Sequence, residues 1–233
     1  MLPSQKELEA RILYRDACVL VIDKPAGIAV HVTAHDKIAL DQSFHHLQFG
    51  LPRPPALAHR LDRGTSGCLV LGRHRKALDR LGKLFKNQKV EKTYLALVSG
   101  TPADPQGTIR APILKTGVGS RWKLQLDAAG QEAVTDYRLL GSEDGISALA
   151  LSPKTGRTHQ LRLHCAFALG CPILGDPFYG DGQGPMRLHA ARIAIPYYPN
   201  KPPIEATAPI PPHMAIPWAN VWSAGGVDCP ISE

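Results

Sequence analysis

The chain has 233 residues, 44% of them hydrophobic and 20% charged, the composition of an ordinary globular protein; this excludes disorder throughout, a collagen and a long coiled coil. Its longest unbroken apolar run, residues 17–22, is six residues long against the ~20 of a membrane span. Five widely spaced cysteines, none in a C-x-x-C pair, predict neither a disulfide framework nor a Cys-rich zinc site.

The formal charge of +7 is localised: residues 59–92 hold ten Lys or Arg against three acids, and the remainder is neutral. Clustered cations of this kind suit a polyanion, from which they release counterions, or a plain solvated face. The first twenty residues mix Lys6, Glu7, Glu9, Arg11, Arg15 and Asp16 with no apolar segment. Neither a secretory signal nor a transit peptide is therefore expected, and the expected compartment is the cytoplasm.

In chain order, residues 17–22 read as a buried strand ended by a turn at Lys24, Pro25, Ala26 and Gly27. Residues 36–56 lack strand alternation and end in Pro52, Pro54 and Pro55, which predicts a helix or loop and then an extended approach to His59. Residues 68–71 form a short strand. From about His74 to Gln88, Ala77, Leu78, Leu81, Leu84 and Phe85 recur at helical spacing, with Lys76, Arg80, Lys83 and Lys86 on or near the other side. Further strands are predicted at 94–98, 134–140 and 146–151, the last two joined by a loop over 141–145. A second helix is predicted over 159–169, with Thr158 as N-cap and Gly170 at C′. From residue 196 onward nine of 38 residues are proline, which favours extended segments. The fold class is α+β with a mainly antiparallel sheet. The expected organisation is a short extension (1–15), one domain (16–215) and a Pro-containing tail (216–233).

Three stretches concentrate chemistry. In HRLDRGTSG (59–67), Asp62 lies between Arg60 and Arg63, so an ionised carboxylate, suited to a nucleophile, competes with an Asx-turn or a salt-bridge anchor. In EKTYLALVSG (91–100), Tyr94 offers a ring for stacking and a phenol for proton transfer, or else packs as a half-buried strand residue. In KTGRTHQLRLH (154–164), His159 and Arg162 share a helix face three residues apart, and Arg162 points from a helix start toward an anion or carboxylate. His31 and His35 are four apart without the Glu of a zincin, so no metal is expected. Nor does any phosphate-binding glycine motif call for a nucleotide cofactor.

These stretches, with VIDKPAGIAVH (21–31) before them and GCPILGDPFYG (170–180) and LHAARIAI (188–195) after, closely resemble the RluA-type pseudouridine synthases from about residue 16 to 214. The resemblance implies a central mixed, largely antiparallel sheet with flanking helices and loops. It implies isomerisation of uridine in ribosomal or transfer RNA with no cofactor; no membrane and a monomer are expected besides. By resemblance Asp62 is the essential aspartate, Tyr94 the active-site tyrosine and Arg162 the basic residue that pairs with the aspartate. Arg60 lies beside the flipped nucleotide. With Arg60, the residues Arg63, Arg80 and Lys83 are the expected RNA contacts. Many relatives carry an added RNA-binding module ahead of this domain; here recognition is expected from the catalytic domain. Asn200, Lys201, Pro202 and Pro203 stand where a Thr-Gly-Glu-like turn is more usual. Two other classes compete: a non-catalytic RNA-binding protein using the same basic face, and a nucleoside hydrolase with Asp23 or Asp176 as its second carboxylate.

Overall fold

A computed structural model describes residues 2–33, 36–117 and 122–215. The expected tail (216–233) and His35 lie outside the described residues. In chain order the elements are α1 (Gln5–Glu9), β1 (Ile12–Arg15), β2 (Val19–Lys24), a 3-10 helix (Leu40–Leu47), β3 (Ala56–Leu57), β4 (Ser66–Gly72) and α2 (Arg75–Lys86). There follow β5 (Glu91–Ser99), β6 (Gln106–Arg110), β7 (Ile113–Thr116), β8 (Lys123–Leu126), β9 (Val134–Glu143) and β10 (Ile146–Pro153). The helix α3 (Gln160–Leu163) runs into a π-helical turn (His164–Ala168) before β11 (Leu188–Ile195) and β12 (Ile204–Thr207). No described helix is long and apolar enough to cross a membrane. The described chain divides into two compact units, residues 2–92 with His189–Pro211, and Thr93–Leu188 with 212–215.

The first unit is built on a mixed, mainly antiparallel sheet. β2 pairs antiparallel with β1 and β4, and β12 antiparallel with β11. On its other edge β4 takes β3 at one end and meets β11 in parallel at the other, through Ser66↔His189 and Gly67↔Ala190. Gly67 is obligatory there: its φ is +101°, and a Cβ would lie 2.3 Å from the Ala190 carbonyl oxygen. The runs Val19 to Ile22 and Cys68 to Leu71 are fully buried, as strands covered on both faces require. One face, with Val19, Val21 and Val70, packs on Ala77 and Leu81 of α2. Each of these fully buried Val and Leu side chains contributes roughly 1.5–3 kcal/mol.

The second unit is antiparallel, in the order β5-β10-β9-β6, with a separate β7-β8 hairpin. Strand β9 runs on to Glu143, so the five-residue loop predicted at 141–145 shrinks to Asp144 and Gly145, at φ +50° and +75°. That pair of left-handed residues is the tight hairpin turn that matches strand twist. The second helix also differs from expectation. His159, not Thr158, occupies the N-cap, at φ +55°, because the Gln160 side-chain oxygen accepts the Arg157 N–H and the Thr155 hydroxyl and so ties the turn one residue later. Gly170 follows at φ +66°, the left-handed stop its position predicts.

Candidate active site

The loop bearing Asp62 begins where a ladder ends. Ala58 N–H donates to the Val70 carbonyl at 3.0 Å, and the next acceptor is a side chain: His59 Nε2 accepts the Val70 N–H at 3.0 Å. The occupied Nε2 lone pair places the ring hydrogen on Nδ1. The ring stacks on Phe85 of α2, centroids 4.7 Å apart. Burial and then the charge of Lys92 push the imidazole down to about 3, so it stays neutral. His59 is thus an anchor of the loop. At the far end of the motif, Ser66 Oγ lies 2.9 Å from Nδ1 of the buried His189, whose Nε2 reaches the Ala208 carbonyl.

Between these anchors Asp62 is half-buried, and its carbonyl accepts the Thr65 N–H at 3.1 Å. The second support is the Lys24 to Gly27 turn. Lys24 has no exposed surface, and its Nζ donates to the carbonyls of Pro25 (2.8 Å), Ile28 (2.8 Å) and Arg63 (3.2 Å). Three donors meet three acceptors. Gly27 N–H donates to the Arg63 carbonyl, and Arg63 Nε returns the bond to the Gly27 carbonyl. Burial pushes the Lys24 amine down to about 7, against the pull of Asp62 and then Asp23. Lys24 is therefore the buried cation whose charge couples to Asp62.

Arg63, next to Asp62 in sequence, turns elsewhere: its Nη1 pairs with Asp36 at 3.0 Å, and its side chain borders a cleft of about 690 Å³ walled by Glu7, Arg11, Pro25 and Ile38. The reason is the turn geometry: the Gly27 carbonyl claims Nε and draws the guanidinium toward that loop. Arg60 is exposed. Arg80 and Lys83 lie on the exposed face of α2 as their spacing predicts, with Arg80 also 5.1 Å over the Tyr197 ring.

Tyr94 and Arg162 belong to the second unit. Tyr94, paired in register with Leu151, is half-buried against a cluster containing Leu149, Leu151 and Leu161, the neighbour of Arg162. Arg162 is 4% exposed and forms a two-pronged pair with the fully buried Asp176, Nε to Oδ2 at 2.7 Å and Nη2 to Oδ1 at 2.6 Å. Asp176 Oδ1 also accepts the Phe178 and Tyr179 N–H groups. Burial alone would raise the Asp176 pKa, but the Arg162 fork and these amides outweigh it and hold the carboxyl below its usual range.

Asp176, named from the sequence only as a candidate second carboxylate, is a bonded partner of Arg162 that residue-by-residue reading does not pair with it. It sits in the GDPFYG stretch, and only its spacing from Arg162 across a turn could have suggested the pair. As a water-activating carboxylate it is engaged, and Asp23 is bound to Arg11 at 3.1 Å, so both candidates for a hydrolase's second carboxylate have structural duties. Among the described residues no cluster of His, Cys, Asp or Glu fits a metal.

A family model described as RNA pseudouridylate synthase matches residues 18–167. An uncharacterized RNA pseudouridine synthase of Zymomonas mobilis is 43% identical over 209 residues, covering 88% of this chain and 95% of that protein. A ribosomal large subunit pseudouridine synthase C of Pasteurella multocida is 34% identical over 223 residues, covering 89% of this chain and 67% of the other. Of the mitochondrial RNA pseudouridine synthase 4 of Arabidopsis thaliana, 36% identical, the chain spans 45%. The solved structure of human RNA pseudouridylate synthase domain containing 4 matches with a TM-score of 0.77 at 27% identity, over 90% of this chain and 92% of that one.

Proposed function

Because the chain belongs to the RluA-type RNA pseudouridine synthases, enzymes that isomerise uridine in RNA, we propose that Asp62 is its catalytic carboxylate and that Tyr94 and Arg162 act with it on one uridine. The reaction breaks the N1–C1′ bond, turns the uracil and joins C5 to C1′. The proton that leaves C5 is balanced by one gained at N1, so mass and oxidation state are conserved. Asp62 attacks the sugar or the uracil ring, or takes a proton from the sugar. All three routes need an ionised carboxylate in a fixed place.

The observation that carries this reading is the support under Asp62: a buried Lys24 that ties its own turn to the loop through the Arg63 carbonyl, a neutral His59 splicing the loop to β4, and Ser66 and Gly67 locked to β11. A non-catalytic RNA-binding protein has no use for a carboxylate held this way. Arg162, aimed by Asp176, supplies a permanent positive charge of fixed direction. The Tyr94 phenol supplies or takes a proton.

The substrate we propose is a uridine in ribosomal large-subunit or transfer RNA, modified in the cytoplasm by a monomer whose catalytic domain is residues 16–215. Relatives named for the ribosomal large subunit support the first target. Reaching the base requires flipping it from its stack, which costs a few kcal/mol. Phosphate contacts by Arg60, Arg63, Arg80 and Lys83 offset this.

Tritium placed at C5 of uridine tests the proposal, because isomerisation releases it to water while RNA mass is otherwise unchanged. Release is expected from ribosomal or transfer RNA, with the modified position identified by mapping pseudouridines lost in a deletion strain. Retained RNA binding with no release would favour the non-catalytic reading, and appearance of free uracil with abasic RNA would favour hydrolysis.

A further inference from the structure

The second unit exposes a group of aromatic rings separate from Tyr94. The large apolar side chains exposed among the described residues are Val32, Ile38, Trp122, Phe167 and Phe178. The three aromatic ones gather around the start of α3, with Phe178 72%, Phe167 62% and Trp122 38% exposed. His159 is the hub, its ring centroid 5.8 Å from Phe178, 5.6 Å from Tyr179 and 6.1 Å from Trp122. Tyr179 in turn meets Phe167 edge-on at 5.9 Å.

The hub is held in place at a cost. His159 is a non-glycine residue in the left-handed region, at φ +55°, a conformation that persists where its surroundings determine it. Its Nδ1 lies 2.9 Å from the Tyr179 hydroxyl, and the Tyr179 N–H is bound to Asp176. Cations are interleaved with the rings. Lys115 Nζ lies 5.0 Å over Trp122, and the Arg162 guanidinium lies 5.4 Å from Phe178 and 5.2 Å from Tyr179.

Aromatic rings also suit a protein partner, but the family to which the chain belongs acts on RNA, and the exposed aliphatic residues Val32 and Ile38 do not join the group to make a broad apolar face. Flat π-faces beside the exposed Lys115 match the two parts of a nucleotide, base against ring and phosphate against cation, while the buried Arg162, engaged by Asp176, serves the rings alone. In a duplex the bases stack on one another and present no face. The match is therefore to unpaired nucleotides.

We propose that Trp122, His159, Phe167, Phe178 and Tyr179 form a stacking platform for unpaired nucleotides of the RNA substrate. The proposal rests on the reading that the chain acts on RNA. Binding comes from the rings and tolerates changes in base identity.

The test uses the full chain with a short unstructured oligoribonucleotide and with the same oligonucleotide carrying abasic sites. Phe178→Ala and Trp122→Ala, at independent exposed positions, are each expected to weaken binding of the base-bearing probe about 5- to 100-fold, the range for losing one stacked base. Phe178→Tyr and Trp122→Phe are expected to restore it, and the salt dependence is expected to keep its slope because no phosphate contact is lost. The abasic probe is expected to bind more weakly and to be insensitive to all four changes. Alanine variants that fold and bind like wild type overturn the platform, as does failure of the aromatic replacements to rescue or an equal loss with the abasic probe. Tritium release by the wild-type preparation is measured alongside. If it is absent, the catalytic reading fails; if it is present while the alanine variants bind normally, the platform alone fails.

Discussion

Among the described residues the buried Lys and Arg side chains are Lys24 and Arg162, one in each unit, and they solve the same problem differently. Lys24 is neutralised by three carbonyl oxygens of its own loops and couples to Asp62 through its charge. Arg162 is neutralised by one carboxylate in a planar fork. Carbonyls hold a loop together through a charge that can be titrated away. A carboxylate fork fixes the direction of a guanidinium that stays charged. The first arrangement suits a residue that positions a catalytic loop, and the second suits a residue that points a cation.

Removing each cation tests this contrast. Arg162→Met strands a fully buried carboxylate and is expected to destabilise by about 3–5 kcal/mol, read from denaturant midpoints. Lys24→Met leaves carbonyls short of donors but no stranded charge, and about 1–3 kcal/mol is expected. Equal losses would mean that the two cations are held in the same way.

Tyr94→Phe separates ring from hydroxyl. RNA binding near wild type with turnover reduced at least ~100-fold is expected, measured by tritium release in single turnover. Full activity would make Tyr94 a packing residue of its cluster.

The titratable partner gives a pH signature. Lys24 has a folded pKa of about 7 against 10.5 unfolded, so between those values the unfolded chain binds more protons and stability rises with pH. Lys92, pushed down to about 8 by burial, adds to the rise above pH 8. Lys24→Met is expected to flatten the rise between pH 7 and 8, whereas Arg162→Lys is not. An identical pH slope in the Lys24 variant would contradict the assignment of that titration.

The smallest effect concerns the basic face. Arg80→Ala with Lys83→Ala is expected to weaken many RNAs alike and to reduce the salt slope by roughly one unit per lost contact. An unchanged slope would return α2 to a solvated face, with Arg80 over the Tyr197 ring.

Much of this was legible in the residues. The helix α2 and strands β2, β4, β5, β9 and β10 announced themselves because their apolar periods are simple and their ends carry turn residues. β11 did not: LHAARIAI is buried at nearly every position, so it has no alternation, and its alanines favour helix until parallel and antiparallel neighbours claim the backbone. The short strands β6 to β8 carry too few apolar residues for a period. In the site, the residue types and motif order pointed to Asp62, Tyr94 and Arg162. Their supports were hidden because they are long-range pairs: Lys24 with Arg63, Ser66 with His189, and Arg162 with Asp176 are 39, 123 and 14 residues apart. Arg63 shows the converse, since adjacency to Asp62 in sequence gave way to the pull of Gly27 and Asp36.

Asp62, the proposed reacting carboxylate, sits on a loop held by other residues. Asp62→Asn keeps the size of the side chain and its capacity to accept hydrogen bonds while removing the charge. Melting temperature, RNA affinity and tritium release measured on one preparation are expected to show a folded protein that binds RNA and forms no pseudouridine. A stable Asp62→Asn protein that still releases tritium and forms pseudouridine would contradict the assignment.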